Sequence, residues 1–204
     1  MENEEIIVYH GTTNECALSI LNMNKFIPGK DNNEDFLGEG IYFFDNYKHA
    51  LLWNIKDYNK RCNSKFEFDE FSKLYDILDV IIQVKRENIL DLDDNSDIVK
   101  FDKIVKKIAG ILDILPEYID AENKNSAILN FLQKKGYIDD IYIVKQSIKQ
   151  KLNVDKRHSI NYIFREVICV KNDKVIKLID LHDKISKKEF EDAAYLSFLK
   201  KRYI

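Results

Sequence analysis

Three polar residues stand on or beside apolar, strand-forming runs, where a polar side chain needs a reason: His10, Tyr42 and Glu166. His10 closes the β-branched and aromatic run Ile6-Ile7-Val8-Tyr9-His10, which Gly11 then stops. An imidazole there can exchange a proton near neutral pH, or serve as a structural hydrogen-bonding group. Tyr42 belongs to Leu37-Gly38-Glu39-Gly40-Ile41-Tyr42-Phe43-Phe44, a glycine-bracketed turn that runs into an apolar strand. Glycine lets a backbone come close to a ligand, so this turn is expected to present Tyr42 beside a binding surface. Taken alone, Tyr42 reads as core. Glu166 interrupts the apolar run from Tyr162 to Val170. Alone, it reads as a solvent-facing carboxylate paired with Arg165 or a lysine.

The elements that must position these residues follow from the pattern. Ile6 to His10 is a strand, and Thr12 or Thr13 can cap the helix after it, whose apolar face is Ala17, Leu18, Ile20 and Leu21. Pro28 to Glu34 is a polar loop, and a helix is expected from about Lys48 to Lys60, carrying Ala50, Leu51 and Trp53. Ile77 to Val84 reads as a buried strand, with Ile89 to Leu92 a short one after it. Helical spacing runs from Asp94 to Leu115 and again from Ala121 to Lys135, closed by Gly136. Ile138 to Lys145 is an expected strand. Asn161–Lys171 and Val175–Leu181 are read as a hairpin turning at Asn172-Asp173-Lys174, before an amphipathic tail helix from Ser186. Strands at both ends with helices between them indicate a single α+β domain over residues 1–204.

The composition narrows the function classes. Hydrophobic residues make up 45% and charged residues 33%, an ordinary globular balance, and the net charge of −3 gives no overall pull toward nucleic acid or anionic lipid. Cys16, Cys62 and Cys169 are odd in number and lack metal-ligand spacing, so they read as reduced cytoplasmic thiols, with no metal site expected. The acidic start Met-Glu-Asn-Glu-Glu is not expected to be a signal peptide, and no run is apolar enough to span a bilayer.

In this order and these local frames the three residues resemble the His-Tyr-Glu signature of the ADP-ribosyltransferases, the class of diphtheria-toxin-like and poly(ADP-ribose) polymerase-like catalytic domains. Tyr9-His10-Gly11-Thr12 resembles that family's His-Gly-Ser/Thr element. Gly38-Glu39-Gly40-Ile41-Tyr42-Phe43 is similar to its Gly-x-Gly-Ile-Tyr-Phe element, and Asp45 follows at the usual distance. Phe164-Arg165-Glu166-Val167-Ile168-Cys169-Val170 sits like its glutamate strand. The likeness covers about residues 6–60 and 160–180, and residues 94–136 look like a helical insertion.

The resemblance implies two small packed antiparallel sheets with flanking helices, and NAD as a substrate without a metal. It implies that the Gly11 backbone bonds the nicotinamide carboxamide, with Thr12 and Gly40 in the binding motifs beside it. His10 would hold a hydroxyl of the adenosine ribose, while Tyr42 and Trp53 would sandwich the nicotinamide ring. Residues 29–37 would form a loop over the donor. Ala50 departs from the family, which usually carries a serine there to touch the carboxamide. Glu166 would stabilise the oxocarbenium-like transition state of nicotinamide–ribose cleavage, the charge problem met in glycoside hydrolysis.

The acceptor is less defined. Phe164 stands two residues before Glu166, where arginine-modifying relatives carry Glu or Gln. Nine Lys/Arg against three Asp/Glu between Lys145 and Lys177 read either as a solvated face or as a basic patch guiding a nucleic-acid acceptor. The expectation is a cytoplasmic mono-ADP-ribosyltransferase acting on protein or nucleic acid, of toxin or phage-defence type, with a possible antitoxin partner and no membrane. The alternatives are a non-catalytic module that binds NAD or ADP-ribose, and an RNA 2′-phosphotransferase-like enzyme.

Overall fold

A computed structural model describes residues 3–28, 36–61, 67–112, 124–151 and 162–198. Most of the expected donor loop, together with Cys62, Lys156 and Arg157, lies outside the described residues. The chain is a mixed α/β protein built on one seven-stranded sheet, with six α-helices among the described residues. In chain order the elements are β1 (Glu4–Thr13), α1 (Asn14–Met23), β2 (Ile41–Phe44), α2 (Tyr47–Arg61), α3 (Phe68–Leu74) and β3 (Tyr75–Val84). They continue as β4 (Ile89–Asp91), α4 (Asn95–Leu112), α5 (Lys124–Lys134), β5 (Ile143–Lys151), β6 (Tyr162–Val170), β7 (Ile176–Leu181) and α6 (Lys187–Phe198).

The strand order is β4-β5-β6-β2-β1-β3-β7, with β4 and β5 parallel and every other pair antiparallel. This corrects the two antiparallel sheets suggested by the family resemblance. The joint in the middle is thin, however: β1 and β2 pair in the ladder only at Tyr9 and Phe44, whereas β1 and β3 pair over ten residues. The sheet also cannot lie flat. Residues 85–88 must join β3 to β4, five strands away. Five flat strand spacings measure about 24 Å, beyond the about 18 Å that this short link can span even fully extended. The two halves therefore curl toward each other around an inner core. Val8, Leu78, Val80 and Ile82 from one half meet Ile41, Phe43, Ile168 and Val170 from the other, with Ile20 and Phe26 packed among them. The outer face carries other helices, with Leu51 and Ile55 of α2, Phe71 of α3, Leu129 and Leu132 of α5 and Phe190 of α6 against Phe44, Ile77, Val144 and Val167.

The expected hairpin of β6 and β7 is absent. Both edges of β6 are already taken by β5 and β2, and β7 pairs with β3 at the far edge. The expected strand at Ile138 starts later, at Ile143, because Ile138 is a buried residue of the turn that precedes it. Local signals hold elsewhere. Thr13 is the residue that caps α1, its hydroxyl accepting from the Cys16 N–H at 3.4 Å. Ser186 and Glu189 form a reciprocal cap on α6, which lowers the Glu189 carboxyl to about 2 through the Ser186 and Tyr47 hydrogen bonds.

Candidate functional site

Gly11 sits where β1 passes under α2. A side chain there would meet the Ala50 carbonyl at 2.5 Å and Asn54 Oδ1 at 2.7 Å, so only glycine lets strand and helix approach this closely. Its backbone direction follows from the ladder. The Ile77 carbonyl accepts from the His182 N–H on the β7 side at 2.9 Å, so the polar groups of Ile77 face β7. Gly11 is its register partner on β1 and turns its own N–H and C=O the other way, toward β2. The next rung toward β2 would be Tyr42, but the strands separate after Tyr9 and Phe44.

His10 bridges that separation. Its Nδ1 lies 2.8 Å from the Tyr42 carbonyl oxygen, and its ring packs edge-on against Phe26 and Phe43. Burial lowers its pKa, partly opposed by the bond to the Tyr42 carbonyl. A carbonyl only accepts, so the neutral ring carries its proton on Nδ1 and keeps the Nε2 lone pair as an acceptor. The sign for stability follows. Because the native pKa lies below 6.5, unfolded chains bind the extra proton first, and stability falls as the pH drops below 6.5 toward the native value. The expected result is that His10→Gln flattens that acid limb of the unfolding free energy; an unchanged limb would remove His10 as its source.

Tyr42 is held by the turn before it. Its hydroxyl donates to the Gly38 carbonyl at 2.6 Å and accepts from the Leu37 N–H at 3.0 Å. The turn is pinned in turn by Lys171, whose Nζ donates to the Leu37 and Glu39 carbonyls at 2.6 and 2.5 Å, and by Asn130 of α5, which accepts from the Glu39 N–H at 2.6 Å. Gly40 lies against β6, where a side chain would meet Cys169 Sγ at 2.5 Å. Ala50 is fully buried, its carbonyl facing Gly11. Trp53, one turn further along α2, is 40% exposed and meets the Phe44 ring at 6.4 Å. Thr12 pairs with Asp76 at the end of β1 and is half-buried.

Glu166 is placed differently. It alternates with Ile168 and Val170 and so points to the inner face with His10, whereas Gly11, Tyr42, Ala50 and Trp53 lie on the outer, α2 side. Its carboxylate accepts from Lys145 Nζ at 2.8 Å, and Lys145 also reaches Asp91 at 3.1 Å. Burial opposes the ammonium charge, but the bonds from Glu166 and Asp91 outweigh it and raise the Lys145 pKa. The structure thus brings His10 to Tyr42, Gly11 to Ala50 and Trp53 to Phe44, and gives Glu166 a partner on a neighbouring strand.

Four residues of this site were not read from the sequence: Lys145, Lys171, Asn130 and Asn54. The clue available was the excess of basic residues around Glu166. Of that stretch Arg165 is buried, while Lys145 and Lys171 are half-buried and hydrogen-bonded to Glu166 and to the turn before Tyr42. Arg165 is buried beneath the outer face, with its guanidinium carbon 5.6 Å from the Phe44 ring centre. Among the described residues, no cluster of three or more His, Cys, Asp or Glu is placed to hold a metal ion. None of the described helices is long and apolar enough to cross a membrane.

The chain is 26% identical over 204 aligned positions to Uncharacterized protein MJ0359 of Methanocaldococcus jannaschii, with 90% of each chain covered. The two therefore correspond along most of their lengths. No protein-family model and no solved structure matches the chain.

Proposed function

We propose that the protein is an NAD-dependent mono-ADP-ribosyltransferase that modifies a protein or nucleic acid, a cytoplasmic effector of toxin or phage-defence type. The observation that carries the reading is the parting of β1 and β2, which leaves the Gly11 backbone edge turned toward β2 beside Tyr42 and beneath α2. A carboxamide needs one acceptor for its NH2 and one donor for its oxygen, and a single strand residue offers both. Trp53 has exposed ring surface on the same side, suited to stacking on the departing nicotinamide. The Nε2 lone pair of His10 can accept from a ribose hydroxyl.

In the reaction, the bond between nicotinamide N1 and ribose C1′ breaks and its electron pair returns to the nicotinamide ring. A nucleophile of the acceptor bonds C1′ and gives up its proton. Glu166 stabilises the positive charge that develops on the ribose between these events. To do so its carboxylate exchanges the Lys145 contact for the 2′-hydroxyl of a ribose that reaches the inner face through the parting of β1 and β2.

Incubation with NAD labelled on the adenylate half, followed by separation of protein, RNA and DNA, tests the reading directly. Label fixed to one fraction with release of nicotinamide supports it. The pairing of Glu166 with Lys145 favours one competitor, a module that binds NAD without turning it over. NAD binding with neither label transfer nor nicotinamide release would select that competitor.

Trp53→Ala is expected to weaken NAD binding by about tenfold, the equivalent of one aromatic stack of roughly 1–1.5 kcal/mol. An unchanged dissociation constant by calorimetry would take Trp53 out of the site.

A further inference from the structure

Among the described residues Arg165 has no counterion, in a place where cations are rarely kept. It alternates with Glu166 along β6 and enters the opposite, outer face, level with Ile148 on β5. The residue is 6% exposed, and its Nε and Nη1 are buried with no hydrogen-bond partner. Its guanidinium rests over the ring of Phe44. Arginine does not escape burial by releasing its proton. A cation–π contact offsets only part of the cost of taking an ion out of water. What the arrangement lacks is an anion.

We propose that Arg165 receives a phosphate group of a nucleotide ligand bound on the Phe44–Trp53 side of the sheet. A planar, permanently charged guanidinium is matched to phosphate oxygens and gains strong charge-assisted bonds from them. Phe44 lies beneath Arg165 and also meets Trp53, so aromatic surface and cation stand side by side, as a ring and its phosphate require. The choice of a nucleotide rests on the ADP-ribosyltransferase reading above; the need for an anion rests on Arg165 alone.

The test uses the full chain and Arg165→Met, which keeps the bulk and removes the charge. Each is titrated with inorganic pyrophosphate, ADP-ribose and nicotinamide riboside, by calorimetry and by the fluorescence of Trp53, the one tryptophan of the chain. Arg165→Met is expected to melt at the same temperature as the wild type or higher, since a buried unpaired charge is gone. It is also expected to lose about tenfold to a hundredfold in affinity for pyrophosphate and ADP-ribose. Nicotinamide riboside, which has no phosphate, should bind both proteins alike. Arg165→Lys keeps a point charge without the planar fork and should lose less, which covers the case of a poorly folded Met variant. Equal binding of both phosphate ligands by Arg165→Met and wild type, or no binding of either by the wild type, overturns the assignment. Pyrophosphate held through Arg165 without ADP-ribose binding keeps the phosphate receptor and removes the dinucleotide reading. ADP-ribose bound equally by both proteins does the reverse.

Discussion

If the protein is the proposed transferase, Glu166→Gln is expected to abolish most of the transfer reaction and to leave NAD binding nearly intact. The substitution keeps the shape and one acceptor oxygen of the side chain but removes the negative charge that faces the developing cation. Loss of one preorganised electrostatic partner of this kind is worth about 3 kcal/mol, or roughly 10²–10³ in rate. In the proposed reading ground-state binding rests on Gly11, Tyr42 and Trp53 on the other side of the sheet, so the dissociation constant for NAD should change by less than about threefold. The amide can still accept from Lys145, which now bonds Glu166 at 2.8 Å, so the strand should not move. Single-turnover release of nicotinamide, measured beside calorimetric binding, separates the two quantities. A variant that turns over NAD within a factor of five of the wild type would falsify the role of Glu166.

The second large effect concerns stability and begins at Asp97, in the first turn of α4. The residue is 2% exposed, and its carboxylate collects three donors: Arg86 Nη1 at 2.9 Å, the Asp91 N–H at 3.0 Å and Lys100 Nζ at 3.1 Å. Burial opposes ionisation, but these bonds outweigh it and the pKa is lowered. Removing one member of a buried ion pair costs about 3–5 kcal/mol when both partners are dry. Arg86 and Lys100 both reach water, so the low end applies to Asp97→Ala, about 3 kcal/mol. For a chain of this size that lowers the melting temperature by roughly 6–12 °C. The native pKa is depressed, so the contribution is present above the unfolded value near 3.8 and is lost as the pH falls through the native one. Denaturant unfolding at neutral pH checks the figure, and a loss below about 1 kcal/mol would show that the cluster is ornamental. Asp97 also fixes the strand that supplies Asp91 to Lys145, so its loss should loosen the setting of Glu166 as well.

What could be read from the sequence was what neighbours in the chain decide. The run ending at His10, the turn before Tyr42, the helix carrying Ala50 and Trp53 and the strand bearing Glu166 stand close to where the spacing puts them. What could not be read depends on strands far apart in sequence. The turn at Asn172-Asp173-Lys174 has a hairpin's composition, yet β6 had no free edge to offer β7. Helix α3 is only seven residues long, too short for a period to stand out. Lys145 lies 21 residues from Glu166 and becomes its partner only through the β5–β6 register. Nothing in Phe164-Arg165-Glu166 announces that the arginine is buried while the glutamate is not. That division is the strand alternation, which turns Arg165 to the outer face and Glu166 to the inner one.

The thin joint at Tyr9 and Phe44 has a kinetic meaning too. A ladder of ten pairs, like that between β1 and β3, opens only with the whole molecule, whereas a joint of one pair can part locally at the cost of a few bonds. The amide hydrogens of Tyr9 and Phe44 should therefore exchange with deuterium well ahead of those in the middle of β3. A ligand that laces Gly11 to Tyr42 would close this seam and slow exchange on both of its sides. In the proposed reading, opening the seam would in turn be the motion that lets a product go, and exchange at this pair of amides would be a clock for turnover.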